Sequence, residues 1–212
     1  MVVAAFLAGC AAAPVVEQPV TPQTISFSKA DAGRIPADFV TALTGGGGAI
    51  SWVVREDPQT PGGAVLVQES SDDTSYRFPM CIYDKFKVRD VAVEVKYKAI
   101  AGKVDQAGGI VLRYSPENYY IARANALEDN VVLFKTVKGK RLKVEEEPMK
   151  VSAGAWHTLR FQAKGNHLKI FFDGQLVIDR HDRTFSGPGQ VGLWTKADSV
   201  SAFKDLKIEP VQ

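Results

Sequence analysis

From about residue 90 onward the chain alternates between apolar and polar side chains, and few backbone conformations tolerate that pattern. In Val91-Ala92-Val93-Glu94-Val95-Lys96-Tyr97-Lys98, the residues Val91, Val93, Val95 and Tyr97 share one face, and Glu94, Lys96 and Lys98 share the other. Successive side chains of an extended strand point to opposite faces, so this run is a half-buried β-strand. Similar runs follow at 109–114, 119–125, 130–137, 156–163, 168–173, 175–180, 189–195 and 202–209. Turns punctuate them at Lys138-Gly139, Lys164-Gly165-Asn166 and Asp173-Gly174. Asp-Gly between two alternating runs predicts a hairpin, because glycine and aspartate tolerate the positive φ that a tight hairpin turn demands. Phe27, Trp52-Val53-Val54 and Ala64-Val65-Leu66-Val67 read as further strands, with loops at Gly45 to Gly48 and Pro61-Gly62-Gly63. Only 36–43 suits a short helix. No segment carries a long 3.6-residue period, and no fixed-period repeat is visible. The expected fold class is all-β, a two-sheet antiparallel sandwich.

At 212 residues and 45% hydrophobic composition, the chain can fill one sizeable core. The folded domain is expected to span residues 25–212. A formal charge of +2 gives no basis for a nucleic-acid partner held through phosphate neutralisation.

The N-terminus reads differently. An apolar run, Val2 to Ala8, leads into Leu7-Ala8-Gly9-Cys10. This resembles the lipobox of bacterial lipoprotein signal peptides, in which the cut precedes a cysteine that receives diacylglycerol. The resemblance implies a signal peptide over 1–9 and lipidation of Cys10. The run is too short to cross a bilayer as a helix, so lipid chains would anchor the protein to a membrane surface. No Lys or Arg precedes it, which leads us to expect an upstream start codon. Ala11 after the cysteine, instead of aspartate, implies the periplasmic face of the outer membrane. Residues 10–24, with prolines at 14, 19 and 22, read as the lipidated cysteine and a flexible tether. Cys81 then has no intramolecular partner, and its apolar neighbours suit a buried, inert thiol.

Several phrases of the second half belong together: Gly108-Gly109-Ile110-Val111-Leu112-Arg113, Asn118-Tyr119-Tyr120-Ile121-Ala122-Arg123-Ala124-Asn125, Gly154-Ala155-Trp156-His157-Thr158-Leu159-Arg160, Phe172-Asp173-Gly174 and Gly189-Gln190-Val191-Gly192-Leu193-Trp194-Thr195. Their order resembles the concanavalin A-like lectin/glucanase superfamily, and is similar to laminin-G-like domains and the bacterial 3-keto-disaccharide-hydrolase-type domain. The resemblance implies a jelly roll over most of 25–210. One such fold serves lectins, hydrolases and adhesion modules, so it does not imply an activity. The superfamily often carries Phe-Asp-Asp before its last strand, where aspartate helps hold a structural calcium. Here the run is Phe203-Lys204-Asp205-Leu206, which leaves Asp205 as the one calcium candidate.

If the small and apolar members of three successive strands face the core, Arg113, Tyr119, Arg123, Asn125 and Lys135 gather on one sheet face. Trp194 and Lys196 share a face near the end of a later strand. Aromatic rings stack on sugar rings and forked donors grip hydroxyls or carboxylates, so these seven residues suit a glycan groove. The same residues also suit a solvated face, with Arg123 paired to Glu128 or Glu94. Lys196 and Asp198 would line a groove edge or pair with each other. Trp156 is expected in the sandwich core.

Catalytic signatures are sparse. Jelly-roll glucanases place two carboxylates on one strand at i and i+2, and here only Glu145 and Glu147 have that spacing, in what reads as an exposed turn. His157, His167 and His181 lack zinc-ligand spacing. Asp179 to Asp182 reads as a turn that Asp182 and Phe185 would pin. Gly187 to Gly192 fits G-x-G-x-x-G by letter only, since no helix follows. Three functions stay open: a non-catalytic glycan-binding or interaction module of the cell envelope, a sugar-active hydrolase of the 3-keto-disaccharide type using Arg113, Arg123, Asn125 and Glu128, and a structural lipoprotein. No catalytic residue can be named.

Overall fold

The computed structural model describes residues 20–211 apart from Pro61; the expected signal peptide, Cys10 and most of the tether lie outside them. Two sheets pack face to face. The first contains β1 (Gln23–Ile25), β3 (Trp52–Glu56), β4 (Ala64–Gln68), β6 (Val91–Ala101), β11 (His157–Lys164), β12 (His167–Phe172), β13 (Gln175–His181) and β15 (Val200–Glu209). The second contains β2 (Phe39–Gly45), β5 (Arg77–Val88), β7 (Ala107–Ser115), β8 (Asn118–Asn125), β9 (Asn130–Val137), β10 (Lys140–Pro148) and β14 (Gly189–Trp194). The strands of each sheet pair antiparallel, in the orders β13-β12-β11-β6-β15-β4-β3, with β1 beside β15, and β10-β9-β8-β7-β14-β5-β2. This is a jelly-roll sandwich.

The alternation predicted for β6 is what buries it: Val91, Val93, Val95 and Tyr97 point into the core, where Ile110, Leu112, Tyr120, Ala122, Leu133, Leu193 and Phe203 meet them from both sheets. Each fully buried side chain of this size contributes about 1.5–3 kcal/mol. Asp173-Gly174 turns β12 into β13 and Lys138-Gly139 turns β9 into β10, all four residues with φ between 48° and 82°. That is the mirror-image turn whose twist matches the flanking strands. Cys81 is buried, and its apolar surroundings raise its pKa far above the usual thiol range.

Four local expectations are corrected. Residues 39–43, read as part of a helix, belong to β2, which pairs with β5. β5 itself is a strand of twelve residues that alternation missed, because both its faces are buried over most of its length. Glu145 to Pro148 is not a turn but the end of β10, an edge strand whose exposed side accounts for its charges. Trp156 lies outside the core, on the outer side of the first sheet beside Val65, Val67 and Ala202. The ammonium groups of Lys98 and Lys204 stand 4.7 and 4.2 Å from its ring.

One end of the sandwich is stitched by buried charge, and two expected groove residues are used there. Arg113 has φ 54° inside a β-bulge between Leu112 and Ser115. A bulge inserts an extra residue and reverses the side-chain alternation beyond it. Arg113 therefore leaves the outer face; its guanidinium donates to the carbonyls of Arg89, Gly165 and Phe185. Lys135 pairs in register with Tyr120, a core residue, and so points inward at the sheet edge to Asp182 at 2.6 Å. The expectation that Arg113 and Lys135 join a sugar-binding face is thus corrected.

Asp182 also accepts from the Tyr120 hydroxyl at 2.7 Å and the Thr184 N–H at 2.8 Å, while Phe185 N–H donates to Tyr120. Burial opposes ionisation of Asp182, but Lys135, Thr184 and Tyr120 outweigh it and hold its pKa well below the carboxylate range. A carboxyl whose folded pKa is depressed stabilises the fold above its unfolded pKa, near about 3.9, and loses that contribution as pH falls toward the folded value. Melting temperature is expected to fall steeply below about pH 4, and Asp182→Asn to flatten that part of the profile. Superimposable acid profiles for the two proteins would refute this role.

Candidate functional site

The site is built on the face of the second sheet that turns away from the first. Phe78, Met80 and Ile82 on β5, Val111 on β7, Tyr119 and Ile121 on β8, Val132 and Phe134 on β9 and Trp194 on β14 form a second apolar cluster there, separate from the main core. An outer face should be wet, yet Phe78, Tyr119 and Trp194 are wholly buried. The topology explains this. β10 and β5 are five strand positions apart, about 24 Å across a flat sheet. Nevertheless the Tyr76 hydroxyl, next to β5, donates to the Gly139 carbonyl at 2.9 Å and accepts from the Arg141 N–H at 2.7 Å. The sheet must curl until its two sides meet across its outer face, which becomes a trough spanned by Tyr76 and the start of β10.

Aromatic rings form the floor. Phe78 and Trp194 stack at 5.5 Å, and Tyr76 meets Phe78 edge-on at 4.7 Å. The Arg141 guanidinium lies over this floor, 4.4 Å from the Phe134 ring, 4.6 Å from Phe78 and 5.8 Å from Trp194. Arg123 approaches Phe134 from β8, at 5.3 Å. The Tyr119 hydroxyl faces the Thr44 and Thr136 hydroxyls.

Polar groups flank the floor in two connected sets. Arg123, 2% exposed, donates to Glu128 at 2.7 Å and to Asn130; Asn130 in turn donates to Glu146 at 2.7 Å, which pairs with Lys143. In the second set Asn125 donates to Asp105 at 2.6 Å and accepts from the Leu127 N–H, and Lys196 closes on the other oxygen of Asp105. Asp105 is wholly buried. Burial raises its pKa despite Lys196. Burial also opposes ionisation of Glu128, but the Arg123 pair outweighs it and lowers that pKa. Lys196 does not pair with Asp198. The Asp198 carboxylate instead accepts from the N–H groups of Lys103, Val104 and Asp105, holding the loop that presents Asp105.

Four of the seven expected residues, Tyr119, Arg123, Asn125 and Trp194, therefore share the trough face, and Lys196 joins them through Asp105. Trp194 is covered by Arg141, so a sugar can stack on it only after that side chain lifts. On β9, Val132 and Phe134 face the trough and Leu133 faces the core, the same parity that turns Lys135 away from the trough. Arg141, Phe78 and Phe134 were not foreseen. Nothing local marks Arg141, because its importance comes from the curl of the whole sheet.

Other chemistries find little support among the described residues. No three His, Cys, Asp or Glu side chains gather to hold a metal. Asp205, the calcium candidate, lies in a bulge of β15 with Lys96 at 3.7 Å, a cation where a calcium would need further oxygen donors. His157 pairs with Asp173 and His167 with Asp179, in separate places.

A family model described as the 3-keto-alpha-glucoside-1,2-lyase-like domain matches residues 41–209. The chain belongs to this family. Over 107 residues, 49% of the chain, it is 33% identical to a levanase of Bacillus subtilis (strain 168), and the match spans 15% of that longer protein. The fold is similar to the carbohydrate binding module CBM66 from Bacillus subtilis, with 25% identity, a TM-score of 0.61 and coverage of 80% of this chain and 94% of that one. It is also similar to domain 4 of AbnA, an extracellular arabinanase from Geobacillus stearothermophilus solved with arabinotriose, at 14% identity and a TM-score of 0.57, covering 88% and 90% of the two chains. At that identity the likeness shows the fold alone.

Proposed function

We propose that this domain is a non-catalytic carbohydrate-binding module of the bacterial cell envelope, tethered by a lipid on Cys10 at the periplasmic face of the outer membrane, with the trough of the second sheet as its glycan-facing surface. The observation that carries the reading is the trough itself: aromatic rings, covered by Arg141 and Tyr76, beside oriented guanidinium, amide and carboxylate groups, the set that binds a hydroxylated ring once that cover lifts. The likeness to a carbohydrate binding module over nearly its whole length supports it.

A second reading, a sugar-active hydrolase or lyase, is favoured by one observation beyond the family. Asp105 has a raised pKa and Glu128 a lowered one, the kind of divergence that separates an acid from a base. Against it, both oxygens of Asp105 are engaged by Asn125 and Lys196, and the group is wholly buried, which suits a structural carboxylate.

Calorimetric titration of the protein with levan, arabinan and uronate-containing polysaccharides tests the binding reading. At least one is expected to bind, with Arg123→Ala weakening binding about tenfold or more, the size of one lost charged hydrogen bond. Binding by none would remove the proposal. Release of monosaccharide from a 3-keto-disaccharide would replace it with the enzyme reading.

A further inference from the structure

We propose that the ligand of the trough carries a carboxylate, as a uronic acid does, and that Arg141 is the group that receives it. This inference rests on the glycan-binding reading and narrows it.

The first support is a charge left over. Arg123 is matched by Glu128, Lys196 by Asp105 and Lys143 by Glu146. Arg141 has no such match: its guanidinium makes no hydrogen bond or ion pair with the described residues, and its Nη1 is buried without a partner. A guanidinium carries five N–H donors and no acceptor; Arg141 is half-buried, and a cation partly withdrawn from water without an anion is disfavoured. The rings of Phe78, Phe134 and Trp194 attract the cation through their faces but cannot accept its hydrogen bonds in the plane.

The second support is the kind of group left unmet. Besides Arg141 Nη1, the buried atoms Arg123 Nε and Trp194 Nε1 lack partners, as do the Tyr119 and Thr136 hydroxyls, which can serve as donors or acceptors. The three nitrogens are donors only, none of the five is restricted to accepting, and both guanidinium groups approach the Phe134 ring. The trough therefore calls for a ligand rich in acceptors. A carboxylate offers two oxygens and one negative charge, which matches the deficit, and it matches the planar fork of arginine. Arg141 is held through its side chain by ring faces alone, so it can swing to meet an acceptor without breaking a hydrogen bond.

The test is a ratio of affinities. The full chain is titrated with oligogalacturonate and oligoglucuronate, each beside the same oligosaccharide with its carboxyl groups reduced to neutral hydroxymethyls. At least one acidic form is expected to bind ten times more tightly or better than its reduced form, with the ratio shrinking as salt is raised. Arg141→Met keeps hydrocarbon on the rings and removes the charge; it is expected to melt no lower than wild type and to bring the ratio to about one. Arg141→Lys, which keeps charge but lacks the fork, is expected to give an intermediate ratio, and it serves if the methionine variant does not fold. Equal binding of acidic and reduced forms would overturn this inference and leave the module reading standing. A ratio unchanged in Arg141→Met would do the same. Failure of all these oligosaccharides to bind would overturn this inference alone if levan or arabinan binds, and both readings if those fail as well.

Discussion

Alanine at Arg113 is expected to cost about 3–5 kcal/mol of stability while leaving the glycan affinity of the folded protein unchanged. Arg113 was a groove candidate because an arginine in an alternating strand ordinarily faces water. It is 3% exposed, and it holds the loops that carry Arg89, Gly165 and Phe185 to one end of the sandwich. Each hydrogen bond from a charged donor contributes about 1.5–3 kcal/mol, and its loss leaves a carbonyl unpaired. Total stabilities of domains lie near 5–15 kcal/mol, so this one change would remove a large share. Urea unfolding measures it through the midpoint, with the slope unchanged. A loss below about 0.5 kcal/mol would mean that the stitch is ornamental. Weakened glycan binding in the folded variant would return Arg113 to the site.

Removing Asp105 should be nearly as damaging, and the damage should be reversible. Asp105→Ala leaves Lys196, 14% exposed by side chain, and the Asn125 amide without their buried partner. Breaking a buried ion pair from one side costs about 3–5 kcal/mol, because the surviving charge is stranded. Replacing Lys196 with Met in the same protein removes that charge, so the double variant is expected to recover at least about 1–2 kcal/mol. A double variant no more stable than Asp105→Ala would show that the pair is not coupled. The same pair of proteins also weighs the enzyme reading. A structural Asp105 predicts that any release of monosaccharide by the native protein persists in the rescued double variant, whereas a general acid at this position predicts that turnover stays lost although the fold is restored.

The residues that could be read in advance and those that could not differ in a definite way. The strands of the second half follow from period two, since burial on one face writes itself into neighbouring letters. β5 was invisible by the same logic, because with both faces covered it shows no alternation. Arg123 and Asn125 were placed on the trough face correctly, as they share parity with Tyr119 along an unbroken strand. Arg113 is displaced from the expected face by the bulge after Leu112, and one inserted residue is enough to exchange the faces. Lys135 was misplaced because its charge suggested water, when Asp182 waits for it across the end of the sandwich. The pairing of Arg123 with Glu128 had been one of the options, since five residues of separation around a hairpin bring them within reach.

Local order in this chain is therefore written in its letters: strand period, turn glycines and the one-core size follow from short-range rules that each segment obeys alone. The trough is of another kind. It exists because seven strands curl far enough for Tyr76 to meet Gly139 and Arg141 from the opposite side. Twist accumulates over a whole sheet and belongs to no residue, so Arg141 acquires its place over the rings only when distant strands close together.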